Sequence, residues 1–425
     1  MKFIKKITQT DIFKITTLNS FSVLIKIGIG LVTSKVLAVF VGPAGMALVG
    51  NFRNFVTSLE SIATLGFQTG IVKYVADSKD DNTELKKVLS TVFISLIITA
   101  LILSSVLYFF ASFWSFKILG INPEYVFIFK VTALALPWYA ISIFLISVIN
   151  GLGLFKKVIW ISIIGNILGL AVSLFLVINY QTLGALLAII VTPALLFFIN
   201  FYSINKEIPF LDFISLSFFD FKVIKNLSSY SLMVLVSAFL VPIVYIAIRN
   251  TVIHKIGIEE AGFWETMTRI SSYYLLFSST ILTIYFYPKL VEAKTNLETK
   301  EVFWSYYKTI LPPFIIGLFC LYFSRYFIIR ILFTKDFSPV ADLFFWQLVG
   351  DVFKVASLIL GFQFLAKKMT KAYIIFEILS LLFLYFASTY LMVLLGIQGV
   401  VMAQALDNFL YFLVLSIYFR KSLLG

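Results

Sequence analysis

The chain has 425 residues, of which 60% are hydrophobic, 17% aromatic and only 13% charged, with a net charge of +13. A soluble domain is nearer half apolar and a quarter charged, so a mean hydropathy of +1.00 marks an integral membrane protein. A single cysteine, Cys320, and a single histidine, His254, exclude an intrachain disulfide and a thiolate metal cluster, and no metal or cofactor is expected.

Runs of about 20 apolar residues predict twelve spanning helices. They cover roughly 17–41, 45–72, 88–112, 126–149, 158–179, 183–204, 228–248, 263–287, 303–324, 341–365, 370–394 and 397–419. Residues 1–16 read as a short interfacial amphipathic segment. The first run is too long for a signal-peptide core and no A-x-A-like site follows it, so it is expected to remain as a span. Pro137, Pro193, Pro242 and the Pro312–Pro313 pair are expected to interrupt their helices, most simply as kinks packed by neighbouring helices and otherwise as hinges for a moving bundle.

Lys and Arg are distributed unevenly between the two sides. Twenty-one fall on segments sharing a side with the N-terminus, and six on the other (Lys117, Arg249, Lys255, Arg325, Arg330 and Lys335). The positive-inside rule places both termini in the cytoplasm, in a bacterial inner membrane on the family resemblance given below. The basic excess is then a topology signal, and nucleic acid is not an expected partner.

The longest cytoplasmic connection, NKEIPFLDFISLSFFDFKVIKN, divides the spans six and six. The expected organisation is an N-terminal lobe over 1–204, a connection over 205–226 and a C-terminal lobe over 227–425. Each half holds a similar passage, LFKKVIWISIIGNIL (154–168) and LAKKMTKAYIIFEIL (365–379), whose lysine pairs are 211 positions apart. Leu183-Gly184-Ala185 and Gln398-Gly399-Val400 correspond at 215. These matches predict a duplicated six-helix unit.

Charges inside the spans demand a wet place. Glu265, Asp342 and Lys371 lie at helix edges within reach of water, whereas Lys26, Lys35, Arg53, Glu60, Lys130, Arg269, Lys308, Asp351, Lys354, Glu377 and Asp407 lie deeper. At roughly 2.5–3.5 kcal/mol each, exposing all of them to lipid would cost on the order of 30 kcal/mol. Lys35 and Lys308, nearest the helix ends, are expected to snorkel. The others align in stripes. Span 2 carries Arg53, Thr57, Glu60, Thr64 and Gln68 on one face, and span 1 carries Asn19, Ser22, Lys26 and Thr33. Span 8 aligns Arg269, Tyr273 and Thr280, and span 10 aligns Gln347, Asp351 and Lys354, while Gln404, Asp407 and Asn408 cluster in span 12. Stripes from both halves imply a central aqueous cavity.

Structural ion pairs are the plainer reading, above all for Asp351 and Lys354, which stand three residues apart on one helical face. Yet the spans hold seven basic and four acidic residues of this deeper set. A cationic cavity suits a phosphate or pyrophosphate, which Arg binds in bidentate fashion. Lys26, Arg53, Lys130, Arg249, Arg269 and Lys354 are therefore the candidate substrate-binding residues. Glu60, Asp351, Glu377 and Asp407 are the candidates for coupling to an ion gradient. No catalytic constellation competes: DSKDD (77–81) reads as a solvated loop, and GIGLVTSK (28–35) lacks Walker spacing. The glycines of VGPAG (41–45) and NGLG (150–153) read as turns.

Several passages carry a family likeness. VLAVFVGPAGMALVGNFRNF (36–55), GIVKYVAD (70–77), AGFWETMTRISSYYLLFSSTILTIYFYPKL (261–290), RILFTKDF (330–337) and FFWQLVGDVFKVASLILGFQFLAKK (344–368) resemble the Wzx-type flippases of O-antigen and enterobacterial common antigen. These form the polysaccharide transporter branch of the MOP superfamily. The resemblance implies an all-α integral membrane protein of MOP/MATE-like fold, twelve transmembrane helices in two six-helix lobes around a central cavity. It implies a flippase moving undecaprenyl-diphosphate-linked oligosaccharide from the cytoplasmic to the periplasmic leaflet by alternating access, not an enzyme. The polysaccharide polymerase and chain-length regulator of the same pathway are implied partners. Asp351 and Lys354 fall on matching positions. A MATE-like drug exporter shares the fold, but the basic excess argues against it. A membrane glycan polymerase or glycosyltransferase would want a long outer loop or a lipid-facing carboxylate motif, and a non-transporting scaffold would not need so many membrane charges.

Overall fold

The protein is described here by a computed structural model covering residues 11–424, in which every regular element is helical. Helices α1 (Asp11–Phe40), α2 (Gly42–Ala63), α3 (Gln68–Ser78), α4 (Asn82–Phe109), α5 (Ala111–Leu119), α6 (Tyr125–Gly151) and α7 (Phe155–Asn205) come first. After two short 3-10 turns follow α8 (Phe221–Lys255) and α9 (Ile258–Ile281), then the π-helical turn Leu282–Phe286 and α10 (Tyr287–Glu292). The chain ends with α11 (Asn296–Phe323), α12 (Arg325–Leu332), the 3-10 stretch Lys335–Leu343, α13 (Phe344–Ala366), α14 (Thr370–Leu395), α15 (Ile397–Tyr418) and α16 (Arg420–Leu424). Of the amphipathic segment expected over 1–16, residues 1–10 lie outside the described residues, and 11–16 belong to α1.

Among the described residues, ten helical stretches are long and apolar enough to cross a membrane. One of them, α7, carries Gln181 at φ 48° and ψ −123°, so it is two spans joined by a tight turn. α2 is too polar to count among the ten, because Asn51, Arg53, Asn54 and Glu60 interrupt its apolar surface. With these two adjustments the twelve expected spans are accounted for.

The prolines do not end their helices. Pro137, Pro193, Pro242, Pro312 and Pro313 all lie inside helices that continue through them, as packed membrane helices permit when neighbours satisfy the freed carbonyl. The breaks fall elsewhere. The predicted unbroken span 45–72 ends at Ala63, and the chain turns through Leu65 and Gly66 at φ 53° and 63° before α3 begins at Gln68.

The helices group into two compact units. The first is Met1–Val36 with Phe52–Pro242, and the second is Leu37–Asn51 with Ile243–Gly425. This division differs from lobes bounded by the 205–226 connection, because the start of α2 packs with α9. A Cβ on Gly262 would lie 1.9 Å from the Pro43 carbonyl oxygen. In the first unit, α6 is largely buried, with Phe129 edge-on to Phe52 at 5.6 Å and Phe144 near Phe210 at 6.1 Å. In the second, the span containing α13 is buried to the same degree, with Val355, Ile359 and Phe364 in a core shared by Phe286, Phe303 and Tyr306.

The duplication is written into the backbone. Gly42 (φ 69°) and Gly257 (φ 147°) are 215 positions apart, and so are Gly153 (φ 80°) and Lys368 (φ 55°). Gln181 and Gly396, again 215 apart, share a backbone conformation, φ 48° and ψ −123° against φ 61° and ψ −143°. Three residues later, a Cβ on Gly184 would sit 1.9 Å from the Leu176 carbonyl oxygen, and one on Gly399 2.1 Å from that of Leu391. At these turns the repeat has a register of 215, and between them, where Asn82 and Asn296 open equivalent helices and Phe109 and Phe323 end them, it is 214. Matching LFKK to LAKK at 211 is four residues out, since Phe155 and Thr370 open the equivalent helices.

Candidate substrate and coupling sites

In the first unit, the polar stripe of α2 is completed by a turn rather than by a longer helix. Glu60 is half-buried and accepts hydrogen bonds from Tyr139 Oη of α6 at 2.5 Å and Gln68 Nε2 at 3.1 Å. Because α2 stops at Ala63, Gln68 reaches back from the start of α3 instead of continuing the stripe. Arg53 is half-buried two turns before Glu60. Lys26 is exposed on α1 and makes no ion pair among the described residues. Lys130 is exposed on α6, its ammonium 5.8 Å from the centre of the Tyr108 ring. Glu60 is thus held by neutral donors.

In the second unit two expectations need correction. Arg249, expected at an outer loop and assigned to substrate, and Glu265, expected to reach water, form a buried ion pair. They are 0% and 3% exposed, with Arg249 Nη2 2.7 Å from Glu265 Oε2. Arg249 Nη1 also donates to Asn51 Oδ1 at 3.1 Å, and Asn51 donates to Asn250 at 2.7 Å. The guanidinium lies 5.1 Å from the Trp264 ring, itself stacked on Tyr245. Trp264 and Tyr245 are tied together through Gln404, which accepts from Trp264 Nε1 and donates to Tyr245 Oη. With its charge neutralised inside protein, Arg249 is not available to an incoming anion.

The second correction concerns Asp351 and Lys354. The expected ion pair between them is not made. Asp351 is fully buried and accepts from Ser271 Oγ at 2.6 Å, Tyr274 Oη at 2.5 Å and Gln347 Nε2 at 3.1 Å. Ser271 and Tyr274 stand three residues apart on α9, so one face of that helix aims both hydroxyls at α13. Lys354 is half-buried and joins no ion pair among the described residues. Asp407 follows the same pattern, accepting from Ser380 Oγ at 2.9 Å. Arg269 is half-buried, with the Met46 sulfur 3.9 Å from Nη1 and no ion pair among the described residues. Glu377 is half-buried on α14. Asp351 and Asp407 therefore take their hydrogen bonds from hydroxyl and amide donors, while Arg269 and Lys354 make no direct ion pair with a carboxylate among the described residues.

Residues 12–294 match the model of the family described as polysaccharide biosynthesis protein. The chain belongs to that family. It is 31% identical over 402 residues to a protein named lipid III flippase from Escherichia coli (strain K12), covering 92% of this chain and 94% of the relative. Among solved structures, an inward-facing multidrug resistance MATE family transporter of the MOP superfamily matches with a TM-score of 0.72 at 15% identity, covering 93% of this chain and 94% of that one. The lipid II flippase MurJ in an inward closed conformation matches with a TM-score of 0.65 at 18% identity, covering 95% and 87%. The fold of this polysaccharide biosynthesis protein is thus that of MOP-superfamily membrane proteins, multi-pass and all-helical.

In this family member, two passages that carried the sequence likeness meet inside the second unit. Pro43 of the GPAG run lies against Gly262, and a Cβ on Gly50 would fall 2.4 Å from Glu265 Oε2. These glycines serve close helix approach as well as turns. Sequence reasoning missed Tyr139, Ser271, Tyr274 and Trp264. Only the three-residue spacing of Ser271 and Tyr274 was visible beforehand, and the stripe through Arg269, Tyr273 and Thr280 points to a neighbouring face.

Proposed function

We propose that this protein is a flippase that carries a polyprenyl-diphosphate-linked oligosaccharide from the cytoplasmic to the periplasmic leaflet of a bacterial inner membrane. The named relative, alike along nearly the whole length of both chains, supports the substrate class. The observation that carries the reading is the separation of charges in the second unit. Arg269 and Lys354 make no direct ion pair with a carboxylate among the described residues, whereas Asp351 takes its hydrogen bonds from neutral donors. Cations without a direct ion-pair partner inside a membrane protein are stabilised when an anion arrives to contact them. A pyrophosphate, with its charge and acceptor oxygens, is such an anion. In the first unit, Arg53 and Lys26 are assigned to head-group binding because they lie on the polar stripes of α2 and α1. Asp351, Asp407, Glu60 and Glu377 are assigned to coupling with an ion gradient, and movement is by alternating access. The polymerase and chain-length regulator of the same pathway are its proposed partners.

The test is reconstitution in sealed liposomes with an undecaprenyl-diphosphate-linked glycan and an impermeant glycan-modifying enzyme outside. The expected result is that the protected half of the glycan becomes modifiable with the protein present, and not with Arg269→Gln. Unchanged protection together with efflux of a cationic dye would replace this reading with that of a small-molecule exporter.

A further inference from the structure

The two halves carry matching short helices that the flippase reading does not use. α5 and α12 each follow a long span, α4 and α11, and precede a largely buried one, α6 and the span containing α13. In a register of 214 their exposure patterns coincide. Phe113 and Phe327 are 52% and 66% exposed, and just before the two helices Phe109 and Phe323, which end α4 and α11, are 81% and 77% exposed. On the opposite face Ser115 and Ile329 are buried, as are Leu119 and Phe333. Each helix therefore turns one face into its unit and leaves aromatic rings uncovered on the other. Chance exposure of a few rings is ordinary, but the same positions exposed twice, in a register fixed by the fold, form a built surface.

A second correspondence lies beside it. Tyr108 and Tyr322, again 214 apart, each hold a cation against the ring. The Lys130 ammonium lies 5.8 Å from the Tyr108 centroid, and the Arg325 guanidinium 4.2 Å from that of Tyr322 and 4.5 Å from that of Tyr326. Arg325 also donates to the Tyr322 carbonyl at 2.8 Å, which fixes the guanidinium next to the aromatic face. Arg330 and Lys335 are exposed on the same connection.

We propose that α5 and α12 lie in the plane of the membrane interface, rings buried among acyl chains, with Lys130 and Arg325 binding the phosphates of anionic lipid. Lipid is the occupant because the exposed face continues the exposed apolar surface of the adjoining spans, through Ile102 and Val106 of α4 and Ile316 and Phe319 of α11. Amphipathic helices with aromatic residues on one face and cations at its margin partition to that depth. Tyr-backed cations match phosphate in charge, and the neighbouring ring limits how far the cation can retreat. On this assignment Lys130 serves lipid rather than the transported glycan.

The experiment uses the full chain in nanodiscs of phosphatidylethanolamine with a varied share of phosphatidylglycerol. Spin labels are placed at Phe113→Cys and Phe327→Cys in a Cys320→Ser background, with Phe109→Cys and Phe323→Cys as a second pair should the first not fold. Relaxation by oxygen should exceed relaxation by a water-soluble nickel chelate at both positions, giving a depth of about 5–10 Å below the phosphates. A label at Asp80→Cys, in the turn between α3 and α4, should behave oppositely. Labels as open to the nickel chelate as Asp80→Cys would overturn the proposal, as would labels shielded from both reagents by a second copy or another protein. Lys130→Gln and Arg325→Gln should each reduce phosphatidylglycerol retained in native mass spectra severalfold relative to phosphatidylethanolamine. An unchanged ratio would overturn the headgroup assignment.

Discussion

Arg249 donates to Glu265 at 2.7 Å, with both side chains out of solvent and Asn51 taking a second guanidinium hydrogen. The three residues come from α8, α9 and α2, so the pair ties the opening turns of α2 to the second unit. A buried pair of this kind adds little net stability over apolar residues of the same size, but it cannot lose one member cheaply.

Glu265→Gln should therefore lower stability by about 3–5 kcal/mol, because it leaves the Arg249 charge buried and unneutralised. Thermal unfolding in detergent should show the loss, and Arg249→Met with Glu265→Leu should recover more than half of it. A single variant as stable as the parent would mean that water reaches Arg249.

Gly184→Ala and Gly399→Ala should behave alike. Each added Cβ meets a main-chain carbonyl at about 2 Å, and overpacking that displaces backbone costs roughly 1–3 kcal/mol or more. Gly28→Ala, with nothing within 4 Å, should be neutral or slightly stabilising. Melting temperatures of the three variants check the duplication: strong loss at only one of Gly184 and Gly399 would argue that the two hairpins are not equivalent.

Arg269→Gln and Lys354→Gln should abolish most transport while leaving protein level and melting temperature near normal, since neither breaks a direct ion pair of the described residues. Arg269→Lys should recover only part of the activity, because an ammonium lacks the planar fork that binds phosphate oxygens in pairs. If either neutral variant unfolds the protein, the residue is structural.

Asp351→Asn should stop transport with normal protein level, and adding Lys354→Gln should not restore it, because the two do not form a pair in this structure. Transport by the double variant at the parent rate would show that their only role is mutual neutralisation. Tyr274→Phe should weaken transport less than Asp351→Asn, since Ser271 and Gln347 still hold the carboxylate.

Reporter fusions after Asn205 and after Gly425 should both read cytoplasmic, given twenty-one Lys and Arg expected on that side against five on the other once the buried Arg249 is set aside. A periplasmic signal from either would overturn the topology.

What the sequence by itself determined were the properties that follow from local composition and period. Apolar runs of fixed length specify spans wherever lipid is the solvent, so twelve helices and their approximate limits were legible. Polar stripes at helical spacing also survived, since Gln347 and Asp351 do share a face of α13 and meet through it. The tertiary structure decided which charges neutralise which. Sequence spacing put Lys354 with Asp351 and left Arg249 and Glu265 at wet edges. Helix packing instead gave Asp351 two hydroxyls from α9 and buried Arg249 against Glu265. The physical reason is that the energy of a charge inside a membrane protein depends on partners within about 4 Å. Those partners come from helices distant in sequence, brought close by small residues such as Gly262 against Pro43. Spacing along one helix has no access to them.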